Sequence, residues 1–265
     1  MRPAIINVID RAARKAGRGL VRDFGEVEQL QVSRKGVADF VSAADLRAEK
    51  VLREELSRAR PGYGFLGEES GEVEGGDGRH RWIVDPLDGT TNFLHGLPHF
   101  AISVALERDG EIVAGAVYEP LHDELYWSER NGGAFLNDRR LRVSARQRLT
   151  DAVLATGIPF RGRGDHGRFL VTLGAAMAES AGIRRFGAAA LDLAYVAAGR
   201  VDGFWEFDLN PWDIAAGILL VREAGGFVSD MSGGDRALDT GDVIAANDQL
   251  HGTLVNLIRG ALETG

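Results

Sequence analysis

The chain has 265 residues, 45% of them hydrophobic and 26% charged, with a net charge of −8 and no cysteine. These figures describe a globular protein with ample core, and they exclude disulfides, thiolate zinc sites and a cysteine nucleophile. The acidic balance argues against nucleic acid or an anionic membrane as the main partner, although Arg139, Arg140, Arg142, Arg146 and Arg148 form a local basic patch.

The opening segment, MRPAIINVIDRAARKAG, carries charges every few residues and lacks the apolar core of a secretory signal. No run approaches the roughly 20 apolar residues of a membrane span, so a cytoplasmic protein without membrane contact is expected. Residues 3–23 place Ile5, Ile6, Ile9, Ala12, Ala13, Ala16 and Leu20 at helical spacing, which predicts an amphipathic first helix. A second helix is predicted over 42–62, with Ser42 and Asp45 as a capping box and Pro61-Gly62 as its stop. Strand-like runs follow at 64–67, 81–85, 100–110, 111–120 and 124–133, and Asp109-Gly110 marks a hairpin, so this part reads as an antiparallel sheet.

After about residue 150 the rhythm changes. Strands near 152–158, 183–186, 202–207, 226–229 and 243–246 alternate with helices at 166–180, 189–199, 211–224 and 248–262. Alternation of this kind predicts a βαβ-type, mixed-sheet second lobe. The expected fold class is α/β in two lobes, 1–150 and 151–265, with no linker between them.

Acidic residues stand at the ends of apolar segments: Glu68 and Glu69 after GFLG, Asp85 and Asp88 after RWIV, and Asp213 in NPWDIAAG. Each has an ordinary reading. Asp213 falls at the third position of a helix begun by Asn210 and Pro211, where a carboxylate suits the dipole; Glu68-Glu69 reads as a solvated turn, and Asp85/Asp88 as a proline turn. Taken together they read differently. An all-oxygen ligand set without cysteine favours a hard cation, with Mg²⁺ the cellular default. Two cations about 3.5–4 Å apart suit in-line phosphoryl transfer, one activating water and the other steadying the leaving oxygen. Gly89-Thr90-Thr91 adds glycine and successive N–H groups that approach an anion closely.

The segments GEES (67–70), DPLDGTTNF (85–93) and PWDIAAG (211–217) resemble the signature elements of the inositol monophosphatase family of metal-dependent, lithium-sensitive phosphatases, in order and spacing, from about Lys35 to Gly226. The resemblance is closest to the family's bacterial branch of extragenic suppressor proteins. It implies the family's layered sugar-phosphatase fold, a homodimer and a small phosphate monoester as substrate. It also implies residue roles. Glu68, Asp85 and the Leu87 carbonyl would hold a first Mg²⁺; Asp85, Asp88 and Asp213 would hold a second; Glu68 with Glu69 nearby would support a third, weaker one. Thr90, hydrogen-bonded towards Asp45, would orient the attacking water. Gly89 and Thr90 amides would bind phosphate, and Asp88, Ala189 and Glu206 would face the polyol.

The sequence departs from the family's animal members at Ile158, where they carry a serine, and at Ala188, where they carry a hydroxyl residue. Both changes lie on the sugar side and weaken the identification of inositol; inositol-1-phosphate or a related small sugar or polyol phosphate is the first expected substrate, with fructose-1,6-bisphosphate, histidinol phosphate, NADP and adenosine 3′,5′-bisphosphate as alternatives. A role as docking partner of a transcription complex, with dispensable catalysis, is the reading from a different class. Two further motifs favour plainer explanations. GRGDHG (162–167) matches a dinucleotide fingerprint but is surrounded by arginines and preceded by Pro159, which favours a basic loop. HGLPH (95–99) has His-x-x-x-His spacing, but Gly96 and Pro98 oppose the helix that would align both rings on zinc.

Overall fold

The computed structural model describes residues 2–30, 34–159 and 164–264, and of 28–30 and 34–42 the helical backbone only. Two long helices, α1 (Ala4–Leu30) and α2 (Arg34–Ala59), lead into the first sheet. Its strands are β1 (Gly64–Gly67), β2 (Gly71–Val73), β3 (His80–Asp88), β4 (Ala101–Arg108), β5 (Glu111–Glu119), β6 (Glu124–Glu129), β7 (Gly133–Leu136) and β8 (Arg139–Arg140), with the short α3 (Thr90–Leu94) between β3 and β4. The second sheet comprises β9 (Val153–Thr156), β10 (Gly182–Arg184), β11 (Gly203–Glu206), β12 (Phe227–Ser229) and β13 (Val243–Ala246). Its helices are α4 (His166–Glu179), α5 (Ala189–Ala197), α6 (Pro211–Glu223), α7 (Ala237–Thr240) and α8 (His251–Thr264).

Strand alternation sorts the core into layers. On β3, Trp82 and Val84 point towards α1 and α2, joining Ile6, Ile9, Leu20, Leu52 and Leu56, while Ile83 points to the opposite face with α5 and α6. The second sheet repeats the pattern: Phe204 and Ala245 face α5 and α6, whereas Trp205 and Ile244 face α4 and α8. The layers therefore run α1/α2, first sheet, α5/α6, second sheet, α4/α8. Helix α6 is buried along most of its length because it lies between two sheets, and its sequence accordingly reads apolar all round.

The sheet orders are β2-β1-β3-β4-β5-β6-β7-β8 and β10-β9-β11-β13-β12. Pairing in the first sheet is antiparallel as expected, except that β1 runs parallel to β3. The second is mixed, with β9 parallel to β10 and β11 and β13 antiparallel to both its neighbours. Asp109 and Gly110 both take positive φ, 53° and 81°, as the hairpin turn requires. The start of the second helix differs from the sequence reading. Helix α2 begins at Arg34, so Ser42 lies inside it and is not its cap, and Asp45 stands well within the helix. The first two residues of GRGDHG lie outside the described residues; Asp165 within it caps α4 by accepting from the Arg168 N–H at 3.0 Å, an ordinary helix start.

Candidate active site

An uninterrupted strand would send Asp85 and Asp88, three residues apart, to opposite faces. A bulge in β3 changes this. Asp85 pairs with Ser103 and Asp88 with Ala101, so three steps on β3 face two on β4, and the extra residue brings both carboxylates to one cleft. Pro86 sits in the bulge, where its missing N–H costs no ladder bond. The Leu87 N–H donates to Asp85 Oδ1 at 2.8 Å, and the Thr90 hydroxyl donates to the Leu87 carbonyl at 3.0 Å. Gly89 then turns the chain into α3 with φ 92°, and a Cβ there would stand 3.0 Å from the His99 carbonyl oxygen. Only glycine makes that turn without strain.

Other elements converge on the bulge. Glu68 follows β1, and its N–H donates to the Val84 carbonyl at 3.2 Å, which sets it beside Asp85. Asp213 occupies the third position of α6, where its Oδ2 accepts the Asn210 N–H at 2.7 Å. The capping role read from the sequence is real, and it coexists with a place in the cleft. The start of α5 faces Asp88, whose Oδ2 accepts the Ala190 N–H at 2.8 Å. Together these walls enclose about 220 Å³, lined by Glu68, Asp85, Leu87, Asp88, Gly89, Thr90, Ala189, Glu206 and Asp213, with Ile158 and Ala188 at its side. Every expected site residue except Asp45 and Glu69 lines this cleft. Asp45 is buried on α2, within electrostatic reach of Glu68 and Asp85.

The electrostatics are lopsided. Asp85 is held well above the usual carboxylate range, first by burial and then by the charges of Glu68, Asp88, Asp213 and Asp45. Asp88 is raised by burial and by Asp213, while the amides of Ala190 and Ala189 oppose the shift. Asp45 is pushed up to about 8 by burial, then by Glu68, Glu69 and Glu49. Among the described residues, no cationic side chain is a leading cause of these shifts. Of the two arginines that line the cleft, Arg168 is paired with Asp242 at 2.5 Å and lies over Phe207 at 4.1 Å, and Arg185 acts on Asp192.

Such a site calls for positive charge. Among the described residues no three acidic or imidazole side chains are already drawn into ligand geometry, but the donors present suit a divalent cation. They are carboxylate and carbonyl oxygens in a chain without cysteine, and Asp45 Oδ1 is buried with no hydrogen-bond partner. The residues fit the group.

The model of the inositol monophosphatase family matches residues 3–263. The chain belongs to that family. It is 63% identical over 261 residues to an inositol-1-monophosphatase of Mesorhizobium japonicum, covering 98% of each chain. It is 46% identical over 246 residues to the Nus factor SuhB of Escherichia coli, covering 93% of this chain and 92% of the other. The crystal structure of extragenic suppressor protein suhB from Bartonella henselae superposes with a TM-score of 0.90 at 60% identity, covering 97% of this chain and 99% of that one. The layered fold is that of the family's solved members.

Against this family background one expectation needs correction. Thr90 does not hydrogen-bond to Asp45; its hydroxyl donates to the Leu87 carbonyl. At the first position of a helix the nearest acceptor is the carbonyl three residues back, and the bulge presents it. Two buried carboxylates went unnoticed as features of the site. Glu49 is 4% exposed and accepts the Glu69 N–H at 2.8 Å. Asp192, in the first turn of α5, is 0% exposed with neither oxygen hydrogen-bonded. The helical spacing of Asp45 and Glu49 was the available signal for the first. HGLPH is a packing loop: His99 lies tilted against Phe186 and edge-on to Tyr195, and burial lowers it to about 4.

Proposed function

We propose that the protein is a Mg²⁺-dependent phosphomonoesterase acting on inositol-1-phosphate or a related small sugar or polyol phosphate. The observation that carries this reading is the convergence of Glu68, Asp85, Asp88 and Asp213 on one cleft, with a buried, unpaired Asp45 oxygen behind it. Glu68, Asp85, the Leu87 carbonyl, Asp88 and Asp213 would hold the ions. Mg²⁺ bound there supplies Lewis acidity towards a phosphoryl group and makes a water acidic enough to attack it.

The chain's own residues would do the rest. Because the Thr90 hydrogen is directed at Leu87, its oxygen lone pairs are left to accept a hydrogen bond from the attacking water. Asp45, behind the site and not bonded to Thr90, would add to the negative field that draws the cations. The Gly89 and Thr90 amides would hold phosphate oxygens, and Ala189 and Glu206 would meet the hydroxyls of the polyol. Phosphate would pass directly to water, since a threonine hydroxyl is a poor nucleophile without a dedicated base.

The test is phosphate release from a panel of inositol, fructose, histidinol and nucleotide phosphates, with Mg²⁺, with EDTA and with added Li⁺. Inositol-1-phosphate turnover that needs Mg²⁺ and falls with Li⁺ is the expected result; full turnover in excess EDTA would remove the metal from the reading. A second reading is motivated by the Nus factor name of the Escherichia coli relative: the fold would serve a transcription complex as a docking partner. Rescue of a deletion strain by a catalytically dead Asp88→Asn protein would favour it.

A further inference from the structure

The turn that carries Glu68 is held from two directions. β1 and β2 pair as far as Gly67 and Gly71, which leaves residues 68–70 as the connection. The Glu68 N–H extends the ladder towards β3 by donating to the Val84 carbonyl at 3.2 Å. The next N–H, that of Glu69, donates across the layer boundary to Glu49 Oε2 on α2 at 2.8 Å. Glu49 follows Asp45 by one helical turn, so the two share a face, and both are buried, at 4% and 3% exposure. A carboxylate so buried is costly unless donors meet it, and a backbone N–H held by one is a strong, charge-assisted bond. Gly67 completes the arrangement. A Cβ at that position would stand 2.4 Å from Glu49 Oε2, so the carboxylate lies directly against the backbone that leads into Glu68.

We propose that Glu49 is a positioning residue for the cation site. The Val84 bond alone leaves the peptide after Glu68 free to pivot. The Glu49 bond fixes that peptide one residue further on, and with it the direction in which the Glu68 carboxylate leaves the backbone towards Asp85. The inference rests on the Mg²⁺-dependent reading, with Glu68 as a ligand, and it assigns to α2 a second contribution beside Asp45.

Metal-stripped protein titrated with Mn²⁺, the free ion being counted by electron paramagnetic resonance, tests this apart from turnover. Glu49→Ala is expected to weaken Mn²⁺ binding by about 10-fold or more, in the range found for outer-shell partners of metal ligands. Glu49→Gln, which keeps an acceptor for the Glu69 N–H, is expected to stay within roughly threefold on the same scale. Gly67→Ala presses a methyl group against the same carboxylate and should weaken binding as well, which keeps the test open if Glu49→Ala does not fold. A Glu49→Ala or Gly67→Ala protein that melts lower but binds Mn²⁺ like wild type would reduce Glu49 to a structural contact and overturn the proposal. So would a Glu49→Gln protein that loses as much as Glu49→Ala, because charge and not the held N–H would then be the cause. Wild-type protein that binds no Mn²⁺ would overturn the metal reading itself and this proposal with it.

Discussion

The two halves of the cleft are built on different principles. On the acidic half each group leaves the end of a regular element and is tied by a hydrogen bond: Asp85 to the Leu87 N–H, Asp88 to the Ala190 N–H, Asp213 to the Asn210 N–H. On the opposite half, Ile158 stands on the connection after β9 and is 43% exposed, and Ala188 and Ala189 present little more than backbone. Glu206, at the end of β11, is the acidic side chain on this half that is expected to meet the polyol, as Asp88 is on the other. The rigid, charged half specifies a reaction; the sparse, partly apolar half specifies how much of a substrate's remainder is recognised. Substitutions should therefore divide cleanly, with turnover falling on one side and substrate preference shifting on the other.

The largest effect expected is on the acidic half. Asp88→Asn keeps an oxygen for the Ala190 N–H, so the start of α5 should hold, but it removes a charge the cations need. Turnover of inositol-1-phosphate should fall by about 10²–10³-fold or more, the range seen when a charge-stabilising group is lost. The melting temperature of metal-free protein should stay level or rise, because a carboxylate raised by burial and by Asp213 has been neutralised. Turnover within threefold of wild type would mean that the reaction does not take place at this bulge, and the contrast between the halves would fail.

How much of this was visible beforehand depends on range. β1 and β13 match the sequence reading to the residue, and α6 nearly so, because Asn210 and Pro211 mark its start chemically. α1 runs past the predicted 23 to Leu30, where Phe24 and Val27 continue its buried stripe. β2, β8 and α7 are too short for periodicity to reveal. The acidic cluster was legible as residue types, since hydrophobic strands rarely end in paired carboxylates without a reason. Its geometry was not. The bulge in β3 exists only in register with β4, and the Thr90 contact with Leu87 depends on the bulge. Glu49 escaped notice because a glutamate on an amphipathic helix ordinarily faces water; only the turn packed across it makes it buried.

A moderate effect is expected on the other half. Ile158→Ser replaces an exposed apolar side chain at the cleft wall with a hydroxyl that a polyol can use. One hydrogen bond gained in a solvated wall is worth about 0.5–1.5 kcal/mol, so KM for inositol-1-phosphate should fall by roughly two- to tenfold on that scale while kcat changes little. Binding that strengthens in ground state and transition state alike has this signature. The check is a pair of Michaelis curves, for inositol-1-phosphate and for a phosphate ester without a polyol. If kcat collapses instead, Ile158 belongs with the chemistry and the division of the cleft is drawn in the wrong place.

The smallest effect concerns Asp192, which lies between the halves. It is buried on α5, raised above the usual carboxylate range first by burial, then by Glu206 and by Asp88, with Arg185 opposing. In the unfolded chain it titrates near 4. Folded protein therefore holds a proton on it over a pH window in which unfolded protein has released one, and stability falls as pH rises through that window. Asp192→Asn removes the titration and keeps the shape. Its melting temperature should approach that of wild type as pH falls below about 4, where Asp192 is protonated in folded and unfolded chain alike, and exceed it by a few degrees near pH 8. Differential scanning calorimetry of metal-free protein across this range measures the difference directly. A gap that does not widen with pH would mean that Asp192 is charged in the folded protein and held by Arg185. The start of α5 would then carry a buried ion pair, and the polyol side of the cleft would be less sparse than its lining residues suggest.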